Sequence, residues 1–185
     1  MKNNVRKITI VGVLSALSVV LMIFPKFSLI PAFPFLEVDF SDVISLFAAA
    51  CLSPSAGVLV VLIKNAVHLL MTSTGAVGEL SNFICGATFV FAFGSVFHRA
   101  ALSKNKYLHL LLSLIIGGAV QIIAAVLGNY FLMIPLYGIQ AAAGSYIFGG
   151  VIPFNFVKDL LVSVVFAVVY LNVYPHIDRY VSRNP

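Results

Sequence analysis

Long apolar runs, broken by short stretches that hold prolines or charges, constrain this chain more than any other feature. A helix needs about 20 predominantly apolar residues to cross the hydrocarbon of a bilayer, and the segment after Arg6-Lys7 already provides that. Across all 185 residues 61% are hydrophobic and 9% charged, and the mean hydropathy is +1.08. Soluble domains carry about a quarter charged residues. A soluble core of this size cannot hide so much apolar surface, so lipid must solvate most of it. The first run is too long for a signal-peptide core and no small-residue cleavage pattern follows it, so it is expected to remain as a transmembrane helix.

Hydropathy and punctuation divide the chain into six helices, near residues 6–24, 41–52, 54–72, 79–99, 106–134 and 153–174. The second is short, closer to a partly inserted helix than to a full span. No internal repeat or separable domain is visible, so residues 1–185 read as one integral membrane domain. The net charge of +5 does not point to nucleic acid, because the basic residues sit at the ends of apolar spans rather than along one soluble face. With a cytoplasmic N-terminus, Lys2, Arg6, Lys7, Arg99, Lys104, Lys106, Arg179 and Arg183 all fall inside, against Lys26 alone outside. That asymmetry obeys the positive-inside rule. Both termini are then cytoplasmic, which requires an even number of crossings.

This orientation places residues 25–42 outside. The stretch holds three of the eight prolines and three of the six carboxylates, so it is shaped by fixed backbone angles and carries acid into a chain that otherwise avoids charge. Residues 73–78 and the long uncharged connection 135–152 fall on the same side. Asn82 opens the fourth helix, Asn129 and Tyr130 lie near the end of the fifth, and Asn155 and Lys158 open the sixth. Alternate helices run in opposite directions, so these five residues share one depth. Intramembrane polar groups are costly and face a bundle interior or a wet cavity. The pattern describes a cavity that opens outward beneath a loop cap.

Individual residues admit two readings each. Lys158 and Asn155 share a helix face at a spacing of three; Lys158 either contacts a ligand or snorkels outward beside a neutralising Asp159. Lys64, near the middle of the third helix, needs a partner, and Asp42, Glu79 and Asp39 are the candidates, with His68 on its face at i+4. A structural ion pair is the favoured role. The turn Thr72-Ser73-Thr74-Gly75-Ala76-Val77-Gly78-Glu79 either presents backbone N–H groups to an oxygen-rich ligand or is a plain surface turn. Gly12 and Ala16 form a small-x-x-x-small pair suited to close helix approach, within the bundle or against a partner. Cys51 and Cys85 read as buried apolar residues, and no metal site is expected. No P-loop occurs, so the chain is not expected to hydrolyse ATP by that route.

The sequence resembles the riboflavin-specific substrate-binding (S) subunits of energy-coupling-factor (ECF) vitamin transporters, the RibU-like family. The resemblance is carried in order by Pro34-Phe35-Leu36-Glu37-Val38-Asp39-Phe40-Ser41-Asp42, Ser55-Ala56-Gly57, Lys64-Asn65, Ser73-Thr74-Gly75, Gly78-Glu79 with Asn82-Phe83, Gly128-Asn129-Tyr130 and Pro153-Phe154-Asn155-Phe156-Val157-Lys158-Asp159. It implies a high-affinity riboflavin binder in a prokaryotic plasma membrane, with riboflavin as cargo and no cofactor. It also implies a transmembrane scaffold subunit, two cytoplasmic ATPases and a toppling motion that delivers vitamin inward. Family members use an alanine-x-x-x-alanine pair on the first helix to meet the scaffold; here Gly12 replaces the first alanine. The residues expected to bind riboflavin are Asn129, Tyr130, Asn155 and Lys158, then Leu36, Asp39 and Asn82, with Phe35 and Leu36 packing the ring. The hydroxyl-rich turn and Lys158 are compatible with the phosphate of flavin mononucleotide (FMN). Two other readings stay open: an S subunit for thiamine or pantothenate, and a small membrane enzyme using Asp39, Asp42, Glu79 and His68.

Overall fold

The computed structural model describes residues 2–71, 76–99 and 102–183. The chain is mostly helical, and its helices appear in the expected order. They are α1 (Lys2–Ile23), α2 (Ser41–Cys51), α3 (Pro54–His68), α4 (Val77–His98), α5 (Lys106–Gly128), the short α6 (Ile134–Tyr137) and α7 (Ala143–Tyr146), and the long α8 (Ile152–Arg183). Between α1 and α2 two short strands, β1 (Phe27–Ser28) and β2 (Glu37–Val38), pair antiparallel with Phe27 opposite Val38.

Local chemistry explains several boundaries. The Ser53 hydroxyl accepts from the Ala56 N–H and Pro54 occupies the first turn of α3, where its missing N–H is no loss. Asn105 caps α5 by accepting from Tyr107 and Leu108 N–H groups. The chain leaves α6 through Gly138 at φ 69°, a left-handed conformation that glycine adopts without a Cβ penalty.

The 135–152 connection is not a loop. Helical backbone continues from α5 through a π turn (Asn129–Met133) into α6, and a 3₁₀ turn (Gln140–Ala142), α7 and a second π turn (Ile147–Val151) lead directly into α8. Backbone groups in an apolar environment must bond internally, and helical structure of any kind does so. Among the described residues, four helical stretches are long and apolar enough to cross a membrane: Val5–Ile23, Val77–His98, Lys106–Tyr137 and Gln140–Val173. α2 and α3 have 11 and 15 residues, about 16 and 22 Å at the helical rise, short of a bilayer core of about 30 Å.

Apolar and polar residues are distributed as lipid solvation demands. Ile8, Val20, Ile115, Ile123, Leu160, Val164 and Val168 point outward, whereas Asp39, Asp42, Lys64, Asn65, Gln121, Asn129, Asn155, Lys158 and Asp159 are buried. At the end of the bundle away from the strands, Leu46, Phe89, Phe93, Leu114, Val162 and Phe166 form the main apolar core. α3 crosses α2 and α4 at Gly57, where a Cβ would lie 2.4 Å from Val90 Cγ1 and 2.8 Å from the Ser45 carbonyl oxygen. Cys85 is buried as expected, but Cys51, the last residue of α2, lies on the outer face.

Candidate functional site

A cavity of about 340 Å³ lies at the strand end of the bundle, between the 25–42 segment and the ends of α3, α4, α5 and α8. Binding pockets for small molecules span about 300–1,000 Å³. Its outer walls include Phe35, Leu36, Tyr137 and Tyr146, and its polar walls include Asp39, Asp42, Asn82, Gln121, Asn129, Asn155, Lys158 and Asp159.

The 25–42 segment is tied down as a cap. The Phe33 ring rests on Gly150, where a Cβ would come within 2.9 Å of it, and meets Tyr146 edge-on at 5.6 Å between centroids. Phe35 packs against Tyr137 and Tyr146 at 6.0 and 6.1 Å. Lys26 pairs with Glu37 across the strands at 2.8 Å. The inner end of the cap enters a buried ionic network. Asp39 Oδ2 accepts from Lys158 Nζ at 3.0 Å, and Asp39 Oδ1 accepts from the Ser41 N–H at 2.9 Å and from the Ser41 hydroxyl. Burial alone would raise the Asp39 pKa; the Lys158 and Lys64 charges and the Ser41 hydrogen bonds overcome it and hold the carboxyl well below the usual carboxylate range.

Lys64, fully buried, donates to Asp42 Oδ1 at 2.6 Å and to Ser41 Oγ at 2.5 Å. Its partner is therefore Asp42, while His68 pairs instead with Glu79 at 3.0 Å. Lys158 also donates to Asn82 Oδ1 at 3.2 Å, and Asn82 Nδ2 donates to Asn65 Oδ1 at 3.2 Å. The snorkelling reading of Lys158 is overturned: its ammonium turns inward, and Asp159 does not neutralise it. Asn129 accepts from the Tyr146 hydroxyl at 3.0 Å and donates to the Ala125 carbonyl. Asn155 accepts from Gln121 Nε2 at 2.7 Å and donates to the Val151 carbonyl.

Comparison with known proteins agrees with this architecture. The family model for the substrate-specific component of ECF transporters matches residues 6–170. This chain belongs to that family. The S component is 37% identical over 177 residues to a riboflavin transporter RibU of Staphylococcus aureus (strain TCH60), covering 92% of this chain and 90% of that protein. It is 31% identical over 195 residues to the riboflavin transporter FmnP of Bacillus subtilis (strain 168), covering 98% of each. A solved structure described as the S component of a bacterial ECF transporter superposes with a TM-score of 0.80 at 34% identity, covering 96% of this chain and 99% of that one. The chain is thus a multi-pass membrane transport component and not an enzyme.

Of the residues singled out from the S component's sequence, Leu36, Asp39, Asn82, Asn129, Asn155 and Lys158 all line the cavity. Tyr130 does not. It is 54% exposed on the outer face, edge-on to Phe131. Successive helical residues point roughly 100° apart, and here Asn129 takes the inward direction and Tyr130 the outward one. Residues 72–75 of the hydroxyl-rich turn lie outside the described residues; Gly78 and Glu79 from its far end line the cavity. Gly12 and Ala16 lie on an open face of α1, and a Cβ at Gly12 would meet nothing within 4 Å, so the pair is not used for packing inside the bundle. Gln121, Tyr146 and Asp159 are cavity residues that were not anticipated. Gln121, a polar residue in the middle of an apolar run, carried the signal that would have found it.

Proposed function

We propose that this chain is the riboflavin-binding subunit of an ECF-type transporter, acting as one domain in a prokaryotic plasma membrane. The observation that carries the proposal is the cavity itself: aromatic rings at the cap and converging amide, lysine and carboxylate groups beneath. Riboflavin has the complementary character, with an apolar dimethylbenzene end, a pyrimidine edge of donors and acceptors, and a hydroxyl-bearing ribityl chain. Leu36, Asp39, Asn82, Asn129, Asn155 and Lys158 are the binding residues of this reading. Riboflavin is cargo. The names of the two relatives support the same ligand.

In this reading α1 to α5 and α8 form six membrane helices, with both termini cytoplasmic and the cavity facing outward. The short α2 and α3 are inserted with their neighbours, and the buried Lys64–Asp42 pair fits a membrane interior only because it is paired. The open face of α1 at Gly12 and Ala16 serves to dock a membrane scaffold subunit, and two cytoplasmic ATPases supply the energy. FMN enters the same cavity only with its phosphate at the rim near Lys26, because the inner cation Lys158 is already engaged by Asp39 and Asn82. The enzyme reading is not favoured, because Asp39 and Asp42 are engaged in ion pairs and Glu79 in a hydrogen bond with His68.

The test is purification followed by chemical identification of the bound small molecule, with titration of flavin fluorescence. Yellow protein that releases riboflavin, and saturable quenching of added riboflavin in preference to thiamine and pantothenate, are the expected results. Colourless protein that leaves riboflavin fluorescence unchanged would refute the proposal.

A further inference from the structure

Every charged group on the described cavity wall has a partner except one. Lys26 pairs with Glu37, Asp39 with Lys158, Asp42 with Lys64, and Glu79 with His68. Asp159 lines the cavity and is 9% exposed, yet among the described residues its carboxyl accepts no hydrogen bond and makes no ion pair. Its Oδ2 is wholly buried without a donor, against the α5 backbone where a Cβ on Gly118 would lie 3.5 Å away. The oxygen left to make contacts is Oδ1. Lys158, its neighbour in sequence, is committed to Asp39 and Asn82. The adjacent amides are committed as well, since Gln121 donates to Asn155 and Asn155 to the Val151 carbonyl. A second acceptor on this wall, Gln121 Oε1, is likewise buried without a donor.

A buried carboxyl without a donor is costly, and a group that supplies the missing hydrogen bond recovers that free energy. The wall thus lacks donors, and an occupant of the cavity is what can bring one. We infer that Asp159 is a specificity-determining residue that accepts a hydrogen bond from a neutral N–H or O–H donor of the bound ligand. This inference rests on the riboflavin reading. Riboflavin offers two such sources, the imide N–H of its pyrimidine ring and the hydroxyls of its ribityl chain. A site that leaves a buried polar group unpaired rejects an analogue that lacks the matching donor more strongly than an apolar pocket rejects a missing methylene.

The experiment measures affinities of purified wild type and Asp159→Asn for riboflavin, 3-methylriboflavin (imide N–H removed) and lumiflavin (hydroxyl chain removed). In wild type, the analogue lacking the donor read by Asp159 binds more weakly than riboflavin, by about 5- to 100-fold for a buried acceptor left without its donor. In Asp159→Asn riboflavin weakens, and the ratio of riboflavin to that analogue shrinks by a similar factor. Loss for 3-methylriboflavin identifies the ring N–H as the source; loss for lumiflavin identifies the hydroxyls. Ratios unchanged between wild type and Asp159→Asn overturn the inference while leaving riboflavin binding intact. Should the variant fail to fold, wild type alone decides, because both analogues binding within about twofold of riboflavin overturns the inference. Absence of riboflavin binding in wild type removes this inference together with the functional proposal.

Discussion

Replacing Lys64 by methionine isolates the buried ion pair that ties the second and third helices together. Lys64 is fully buried and its ammonium lies 2.6 Å from Asp42 Oδ1 and 2.5 Å from Ser41 Oγ. Methionine keeps the volume of the stem but leaves Asp42 with Lys158 as its nearest cation, at 3.9 Å. Removing one partner of a buried pair costs about 3–5 kcal/mol. At about 2–4 °C per kcal/mol for a chain of this size, the apparent Tm falls by roughly 6–20 °C. The chain has no tryptophan, so a fluorogenic thiol probe is the practical assay: buried Cys85 reports unfolding in a Cys51→Ser background. The double variant Asp42→Asn/Lys64→Met should lose at least about 1 kcal/mol less than the two single losses combined. A Lys64→Met melting curve within about 2 °C of wild type, or strict additivity in the double variant, would refute the argument. Lys64 does not line the cavity, so well-folded Lys64→Met that no longer binds riboflavin would transfer it from the scaffold to the ligand.

Three further outcomes are expected. Gly57→Ala places a Cβ 2.8 Å from the Ser45 carbonyl oxygen, which cannot move without shifting α2; stability should drop by about 1–3 kcal/mol, and a wild-type melting curve would contradict the close crossing. Phe33→Ala removes the ring that seats the cap on Gly150 and Tyr146; stopped-flow release of riboflavin should accelerate about 10-fold or more, corresponding to about 1.4 kcal/mol of lost packing, and an unchanged rate would exclude the cap as a gate. Asp39 has a folded-state pKa held below its unfolded value, so its contribution to stability is fully present above about pH 4 and is lost as pH falls through the folded value. Melting temperature attributable to Asp39, taken as wild type minus Asp39→Asn, should therefore stay flat from neutral pH down to about pH 4; a decline centred near pH 5 or above would count against the Asp39–Lys158 pairing.

Much of the site was legible because helices alternate direction. Asn82, Asn129, Asn155 and Lys158 could be assigned one depth from their positions near helix ends, and the cavity does collect all four. Depth, however, says nothing about azimuth. Tyr130 shares the depth of Asn129 but points to the outside, and Asp159 follows Lys158 in sequence without pairing to it. Adjacent helical residues look like partners when written in a line, yet diverge by about 100° around the axis. The 135–152 connection was opaque for another reason. Glycine, proline and small residues read as loop, whereas an apolar setting forces the backbone to satisfy its own hydrogen bonds as helical turns.

The sequence by itself determined the solvent, the order of the helices and the residues that had to be buried. Hydropathy is a local and nearly additive property, so a run of apolar residues specifies lipid without knowledge of its neighbours. Only the tertiary structure decided that Lys64 belongs to Asp42 and Lys158 to Asp39, that Phe33 anchors the cap, and that Asp159 faces the cavity unpaired. A buried charge is costly unless a partner comes within hydrogen-bonding distance, so the separations that packing sets decide the pairs. Three carboxylates and two lysines that are interchangeable in composition become distinct when packing sets Asp42 2.6 Å from Lys64 and 3.9 Å from Lys158, sets Asp39 3.0 Å from Lys158, and leaves Asp159 without an ion pair among the described residues.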